Sequence, residues 1–257
     1  MRVARFAHEG AIGYGVVDDD ALVELVGDPI VAGFDMTGRR IPLAEARLLA
    51  PVIPRSKVVA VGRNYAKHAA ELGNDVPSEP LVFLKPNTSV IGPGDAIVLP
   101  PESSDVHFEG EVALVIGRVA RRLTKADALG AVFGVTVAND VTARDLQRSE
   151  PQWARAKGFD TFCPLGPAIE TEPDWEELRV VTRLDGDVRQ DGVSSDWIFD
   201  APTVLAWITA AMTLLPGDVV LMGTPEGVGP MVAGQTVEVE IPGVGTLRNP
   251  VVAAPSR

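Results

Sequence analysis

The sequence predicts a β-rich α+β protein, with a main domain of rolled, mixed sheets over residues 53–257 and a small N-terminal β domain over 1–52. Three observations predict it. Apolar runs such as 57–61, 81–84 and 219–222 have the length of buried strands, and each ends on Gly, Lys-Pro or a Gly-rich loop. Only 203–214 reads as a long helix, stopped by Pro216-Gly217. Pro51 and Pro54 set off a first section of short strands and turns, which makes 50–55 a domain boundary.

Composition narrows the function. The chain has 257 residues, of which 46% are hydrophobic and 23% charged. It can therefore bury a large core, and disorder, collagen-like repetition and coiled coil are excluded. Lys and Arg number 23 against 35 Asp and Glu, a net charge of -12, which argues against nucleic acid or an anionic membrane as partner. A single cysteine, Cys163, allows no internal disulfide, fits a reducing cytosol, and reads as a small buried residue before Pro164. The start of the chain lacks the apolar core of a signal peptide, and no run approaches the roughly 20 apolar residues of a membrane span. The expectation is a soluble cytoplasmic protein.

In chain order, strands are expected at 3–6, 12–17 and 22–25 around an Asp18-Asp19-Asp20 turn, with a short helical piece at 43–49. Strand 57–61 ends at Gly62, and 63–73 has helical composition with Gly73 as its stop. His68 and Glu71, three apart, share a face of that helix, the arrangement of a carboxylate orienting an imidazole for general-base work. Residues 73–80 read as a mobile loop. Strand 81–86 ends in Lys85, read as a strand-end residue that lays its stem on apolar surface and its head in water.

The stretch 106–117 carries the chemistry. On one strand Glu109 and Glu111 point the same way, and the apolar run 112–116 carries them toward a core. Like charges there need a counter-ion, and a divalent cation held by hard oxygen ligands is the simplest remedy, the alternative being a solvated edge. By spacing alone His107 is a possible further ligand. Strand 132–140 stops on Asp140, equally readable as a cap or as a ligand. The segment after it begins a helix, with Thr142 and Asp145 at capping-box spacing and Asp140, Arg144 and Gln147 on one stripe. Residues 157–167 hold too much Gly and Pro for regular structure. A hairpin turns at Asp185-Gly186. Glycines in 223–230 let backbone amides approach an anion, but the loop lacks the Gly-Lys-Ser/Thr ending of a nucleotide site. A last hairpin spans 236–249.

Six of these segments, in this order, resemble the fumarylacetoacetate hydrolase family over about residues 57–251, in particular its acylpyruvate hydrolase-like and 2-hydroxyhepta-2,4-diene-1,7-dioate isomerase-like branch. They are Gly62-Arg63-Asn64-Tyr65 with His68 and Glu71, Phe83-Leu84-Lys85-Pro86, Glu109-Gly110-Glu111, Asn139-Asp140 with Arg144 and Gln147, Lys157 to Phe162, and Gly223 to Gly229. The resemblance implies that Glu109, Glu111 and Asp140 bind Mg²⁺ or Mn²⁺, with no role for His107. It implies that His68 and Glu71 activate water from a lid that orders when substrate arrives, and that Lys157 is catalytic. Arg63, Tyr65, Lys85, Arg144, Gln147 and Thr224 would contact a small 2-oxo acid. Three carboxylates against a divalent ion would leave one negative charge, which Lys157 or Arg144 could offset. The implied activity is a hydrolase cleaving a carbon-carbon bond in a 2,4-dioxo acid of acylpyruvate or fumarylpyruvate type. Its rivals are an isomerase or decarboxylase of dicarboxylic 2-oxo acids and a non-catalytic protein with a structural cation. The resemblance also implies a homodimer.

Overall fold

A computed structural model describes residues 1–71 and 75–255. Three sheets carry the described residues. The largest, of 12 strands, runs in the order Met36–Pro42, Ala21–Leu25, Ala11–Asp18, Arg2–His8, Cys163–Glu170, Val132–Asn139, Gly110–Ile116, Val219–Leu221, Val58–Gly62, Leu81–Lys85. Arg47–Leu49 and Val90–Ile91 join off this path. Neighbours are antiparallel except at Val219–Leu221 beside Val58–Gly62 and Val90–Ile91 beside Cys163–Glu170, so the sheet is mixed. A five-stranded sheet holds Asp187–Val193, Arg179–Leu184, Thr236–Ile241, Gly245–Ala253 and Ile97–Leu99, and a three-stranded one holds Thr142–Ala143, Val106–Phe108 and Gly229–Pro230.

The central strands are mostly apolar because both their faces are buried. In Gly110–Ile116, Val112, Leu114 and Ile116 enter one core with the five-stranded sheet and the helix Ala201–Ala211, while Ala113 and Val115 enter a second core behind. That helix starts where Asp200 accepts the Thr203 N–H at 2.9 Å. The N-terminal strands keep a small core of their own around Phe6, Leu22 and Ile41, yet Arg2–His8 pairs with Cys163–Glu170 and so extends the main sheet. No helix among the described residues is long and apolar enough to cross a membrane.

Five expectations are corrected. Residues 43–49 make one 3-10 turn, Leu43–Glu45, and then a strand; Leu48 and Leu49 pair with Phe6 and Arg5, and so short a piece cannot repay helix nucleation. Residues 163–167 lie in a regular strand, Cys163–Glu170. Its prolines are tolerated because Pro164 is where a short parallel strand joins, and Pro167 falls where the pairing with Val132–Asn139 slips register. No capping box forms at Thr142 and Asp145. Thr142 Oγ1 donates to the Asp140 carbonyl at 2.8 Å, and Asp145 accepts from Ser103 Oγ at 2.6 Å and Ser104 N at 3.0 Å. The helix Arg144–Ser149 starts after Asp140, so Asp140 is off its stripe. Finally, 106–117 is two strands broken at Glu109. The helix over 63–73 is described as Ala66–Glu71; its Gly73 stop and the first part of the expected mobile loop lie outside the described residues.

Candidate active site

The acids converge through strand pairing. Gly110–Ile116 and Val132–Asn139 are antiparallel, with Gly110 opposite Asn139, so Glu109 before one strand and Asp140 after the other meet at the same edge. Asp140 N donates to the Glu109 carbonyl at 2.8 Å, and Glu109 N donates to Asn139 Oδ1 at 2.9 Å. Between the two glutamates only glycine fits, since a Cβ on Gly110 would fall 2.0 Å from Thr182 Oγ1. Glu109, Glu111 and Asp140 are at most 4% exposed, and one oxygen from each lies within 4.8 Å of the others. Mg²⁺ or Mn²⁺ with oxygen ligands at about 2.1 Å separates those ligands by about 3 to 4 Å, so the triad fits such an ion after a small contraction. All three donors are hard oxygens, as these ions require.

Three buried cations face the triad. Lys157 Nζ donates to Glu109 Oε2 and Asp140 Oδ2, both at 2.7 Å, and stands 5.0 Å from the Phe83 ring centre. Arg144 pairs with the other Glu109 oxygen, and Lys85 Nζ donates to Asp140 Oδ1 at 2.6 Å. Two expectations change. Lys85 does not snorkel; it is 1% exposed, also donates to the carbonyls of Val141 and Lys157, and does not line the cavity, so its role here is to hold Asp140. And the charge balance reverses, because with all three acids ionised the three buried cations already cancel them, so a divalent ion brings a positive excess of two.

The charges split the acids. Burial pushes Glu109 up, but Arg144 and Lys157 together outweigh it and hold the carboxyl below its usual range. For Glu111, burial and then the charges of Asp140 and Glu109 push the carboxyl well above its usual range; its partner is the Gly223 N–H, at 2.7 Å. Burial opposes charge on Lys157, but Asp140 and Glu109 more than compensate, so it stays an ammonium. Cys163 beneath is buried, which pushes its thiol up to about 12 and leaves it unreactive.

Above the triad opens a cavity of about 240 Å³, lined by Glu109, Glu111, Asp140, Lys157, His68, Arg63, Arg144, Gln147 and Thr224 among others. His68 is 5% exposed, with Nδ1 3.3 Å from Glu71 Oε2. Burial holds its imidazole below its ordinary range, so it is neutral at neutral pH. With Nδ1–H given to Glu71, Nε2 remains a base. Glu71 itself accepts the Gly227 N–H at 3.0 and 3.2 Å. The glycine loop thus does bring amides to acidic side chains, those of Glu111 and Glu71. Gly227 has φ +95°, and a Cβ there would lie 1.9 Å from the Arg189 carbonyl oxygen. Tyr65 does not line the cavity and is 2% exposed. His107 is not in the triad, as its Nε2 lies 2.8 Å from Asp105 Oδ1.

Residues to which sequence reasoning gave no role complete the site. Phe83 and Trp153, packed edge to face at 5.3 Å, form an apolar wall, and Arg148 stands at the mouth. Gln190, 1% exposed, accepts the Gly110 N–H at 2.9 Å and donates to Thr224 Oγ1 at 2.7 Å and the Pro225 carbonyl at 2.8 Å. It ties the carboxylate strand to the glycine loop. Gln190→Leu leaves buried groups on both sides unpaired and is expected to cost about 2–4 kcal/mol in stability. It is also expected to weaken Mg²⁺ binding about tenfold, read by thermal melting and calorimetry. No local motif marks Gln190, because its partners are 80 and 34 residues away.

A buried acid triad beside an imidazole-carboxylate pair defines the class, an enzyme-type site whose three acids could hold a metal ion. The family follows from comparison. Residues 57–252 match the fumarylacetoacetate (FAA) hydrolase C-terminal family, and residues 1–51 match the Rv2993c-like N-terminal family. Protein Rv2993c of Mycobacterium tuberculosis is 47% identical over 98% of both chains. The mitochondrial oxaloacetate tautomerase FAHD2A of Homo sapiens is 43% identical over 82% of this chain and 71% of its own. The crystal structure of a 2-hydroxyhepta-2,4-diene-1,7-dioate isomerase from Mycobacterium marinum superposes with a TM-score of 0.92 at 44% identity, covering both chains fully. The chain belongs to the fumarylacetoacetate hydrolase family.

Proposed function

We propose that the protein is a divalent-metal-dependent enzyme that moves a proton at the carbon beside the keto group of a small 2-oxo acid, a tautomerase or isomerase. The observation that carries this is the neutral, Glu71-oriented His68 facing a cavity whose floor is the acid triad with Lys157. The named relatives also favour it over the carbon-carbon hydrolysis that the family's name suggests, since one is an oxaloacetate tautomerase and one a dienedioate isomerase.

Glu109, Glu111 and Asp140 would hold Mg²⁺ or Mn²⁺, which stabilises negative charge growing on the substrate's keto oxygen. His68 Nε2 takes the proton from C3, and Glu71 fixes the ring and offsets the imidazolium's charge. Lys157, kept charged by its two carboxylates, adds electrostatic stabilisation from the floor, while Phe83 and Trp153 exclude water from one side. Hydrolysis is the second reading, because the same imidazole could deprotonate water aimed at a distal carbonyl.

Product analysis separates them. The protein with Mg²⁺ is incubated with oxaloacetate, with a 2-hydroxy-dienedioate and with acetylpyruvate. Keto-enol interconversion of oxaloacetate or isomerisation of the dienedioate is expected, with acetylpyruvate left intact. Stoichiometric acetate and pyruvate from acetylpyruvate, without isomerisation, would establish the hydrolase instead. Release of CO₂ as the main product from oxaloacetate would mark a decarboxylase.

A further inference from the structure

Helix Arg144–Ser149 presents two arginines to the cavity at different depths. Arg144, Gln147 and Arg148 fall at i, i+3 and i+4, share a face, and all line the cavity. Arg144 is 3% exposed and is spent on Glu109 and on Gln147, to whose Oε1 it donates at 2.6 Å. Arg148 is 64% exposed at the mouth, where one of its terminal nitrogens donates to Asp105 Oδ2 at 2.8 Å. Asp105 is fixed in turn: its carbonyl accepts the Arg144 N–H at 2.7 Å, and its Oδ1 faces His107 Nε2 at 2.8 Å. A guanidinium has five N–H donors. Asp105 therefore aims Arg148 without exhausting it.

We propose that Arg148, held by Asp105, is a specificity residue that reads a second carboxylate at the far end of the substrate. This rests on the 2-oxo acid reading of the site and adds to it that the preferred ligand is a dianion. Charge counting supports it independently. The triad and its three buried cations cancel, so a loaded site has two surplus positive charges, which a dicarboxylate balances and a monocarboxylate does not. Depth gives the order: the 2-oxo acid end goes to the floor, and the second carboxylate meets the forked donors of Arg148 at the mouth. Asp105 is a positioning residue, since it acts through Arg148.

The test is a matched pair of ligands with the same five-carbon chain, 2-oxoglutarate and 2-oxopentanoate, which keto-enol exchange returns unchanged, titrated calorimetrically into the Mg²⁺-loaded protein. The native protein is expected to prefer 2-oxoglutarate about 10- to 30-fold, and Arg148→Gln to reduce that ratio to within about 3-fold, a charge-assisted hydrogen bond's share. Arg148→Lys should retain part of it. Asp105→Asn is expected to fall between, with the ratio and not the general affinity responding. Arg148 is exposed, so its variants should fold as the native protein does. Equal weakening of both ligands by Arg148→Gln, or no native preference, would overturn the proposal while leaving the 2-oxo acid reading standing. Binding of neither ligand would sink both.

Discussion

Glu111→Gln is expected to abolish Mg²⁺ binding while leaving the fold intact. Glu111 is 2% exposed, and its hydrogen-bond partner is the Gly223 N–H, not a cation. Burial and then Asp140 and Glu109 push its carboxyl well above the usual carboxylate range, so without an ion the protonated form is favoured, and glutamine has the shape and charge of that form. Asp140→Ala is a poorer test, because it strips Lys85 and Lys157 of their partner and leaves buried cations, at a cost of about 3–5 kcal/mol.

The same raised pKa sets the pH dependence. Ion binding must expel the Glu111 proton, so affinity should weaken about tenfold per pH unit below that pKa, with about one proton released per ion. For the metal-free protein the folded state holds this proton more tightly than the unfolded chain does. Its stability should therefore fall as pH rises through the window above 4.5, and Glu111→Gln should remove that part of the slope. Glu109 acts in the other window. Its depressed pKa contributes stability above 4.5 that is lost as pH falls. Calorimetry in two buffers of different ionisation heat counts the protons. Ordinary Mg²⁺ affinity in the Glu111→Gln protein would contradict this account.

The second large effect is expected at the base. His68→Gln should lower turnover about 10²- to 10⁴-fold. It should leave Mg²⁺ affinity within about twofold, because the ring bonds to Glu71 and not to the acid triad. The acid limb of the native pH-rate profile should lie below the ordinary imidazole value of 6.5, since burial depresses His68, and it should vanish in the variant. A variant that loses activity through lost metal would instead place His68 in the ion's support.

Local pattern carried much of this. His68 and Glu71 are legible because the helix period puts them on one side, and Glu109 and Glu111 because two acids flank a glycine just before an apolar run, although the strand breaks at Glu109. The buried strands were legible because both faces of the central sheet are covered, so Val112–Ile116 reads as one apolar run. What escaped depends on distance along the chain. Lys85 read as a strand end with its head in water because its partner, Asp140, is 55 residues away. Gln190 and Arg148 lie outside the quoted motifs and gain meaning only from what the fold brings to them. Residues 163–167 read as irregular because two prolines and a glycine usually end a strand, whereas here they coincide with a parallel junction and a register slip.

The central claim is that Glu109, Glu111 and Asp140 share one hard cation. Diffraction from crystals grown with Mn²⁺, measured for the anomalous signal of that ion, tests it most directly. The account predicts a single strong peak about 2.2 Å from one oxygen of each of the three side chains, with Lys157 beside it. A peak held by only one of the three acids, or none among them at saturating Mn²⁺, would contradict it.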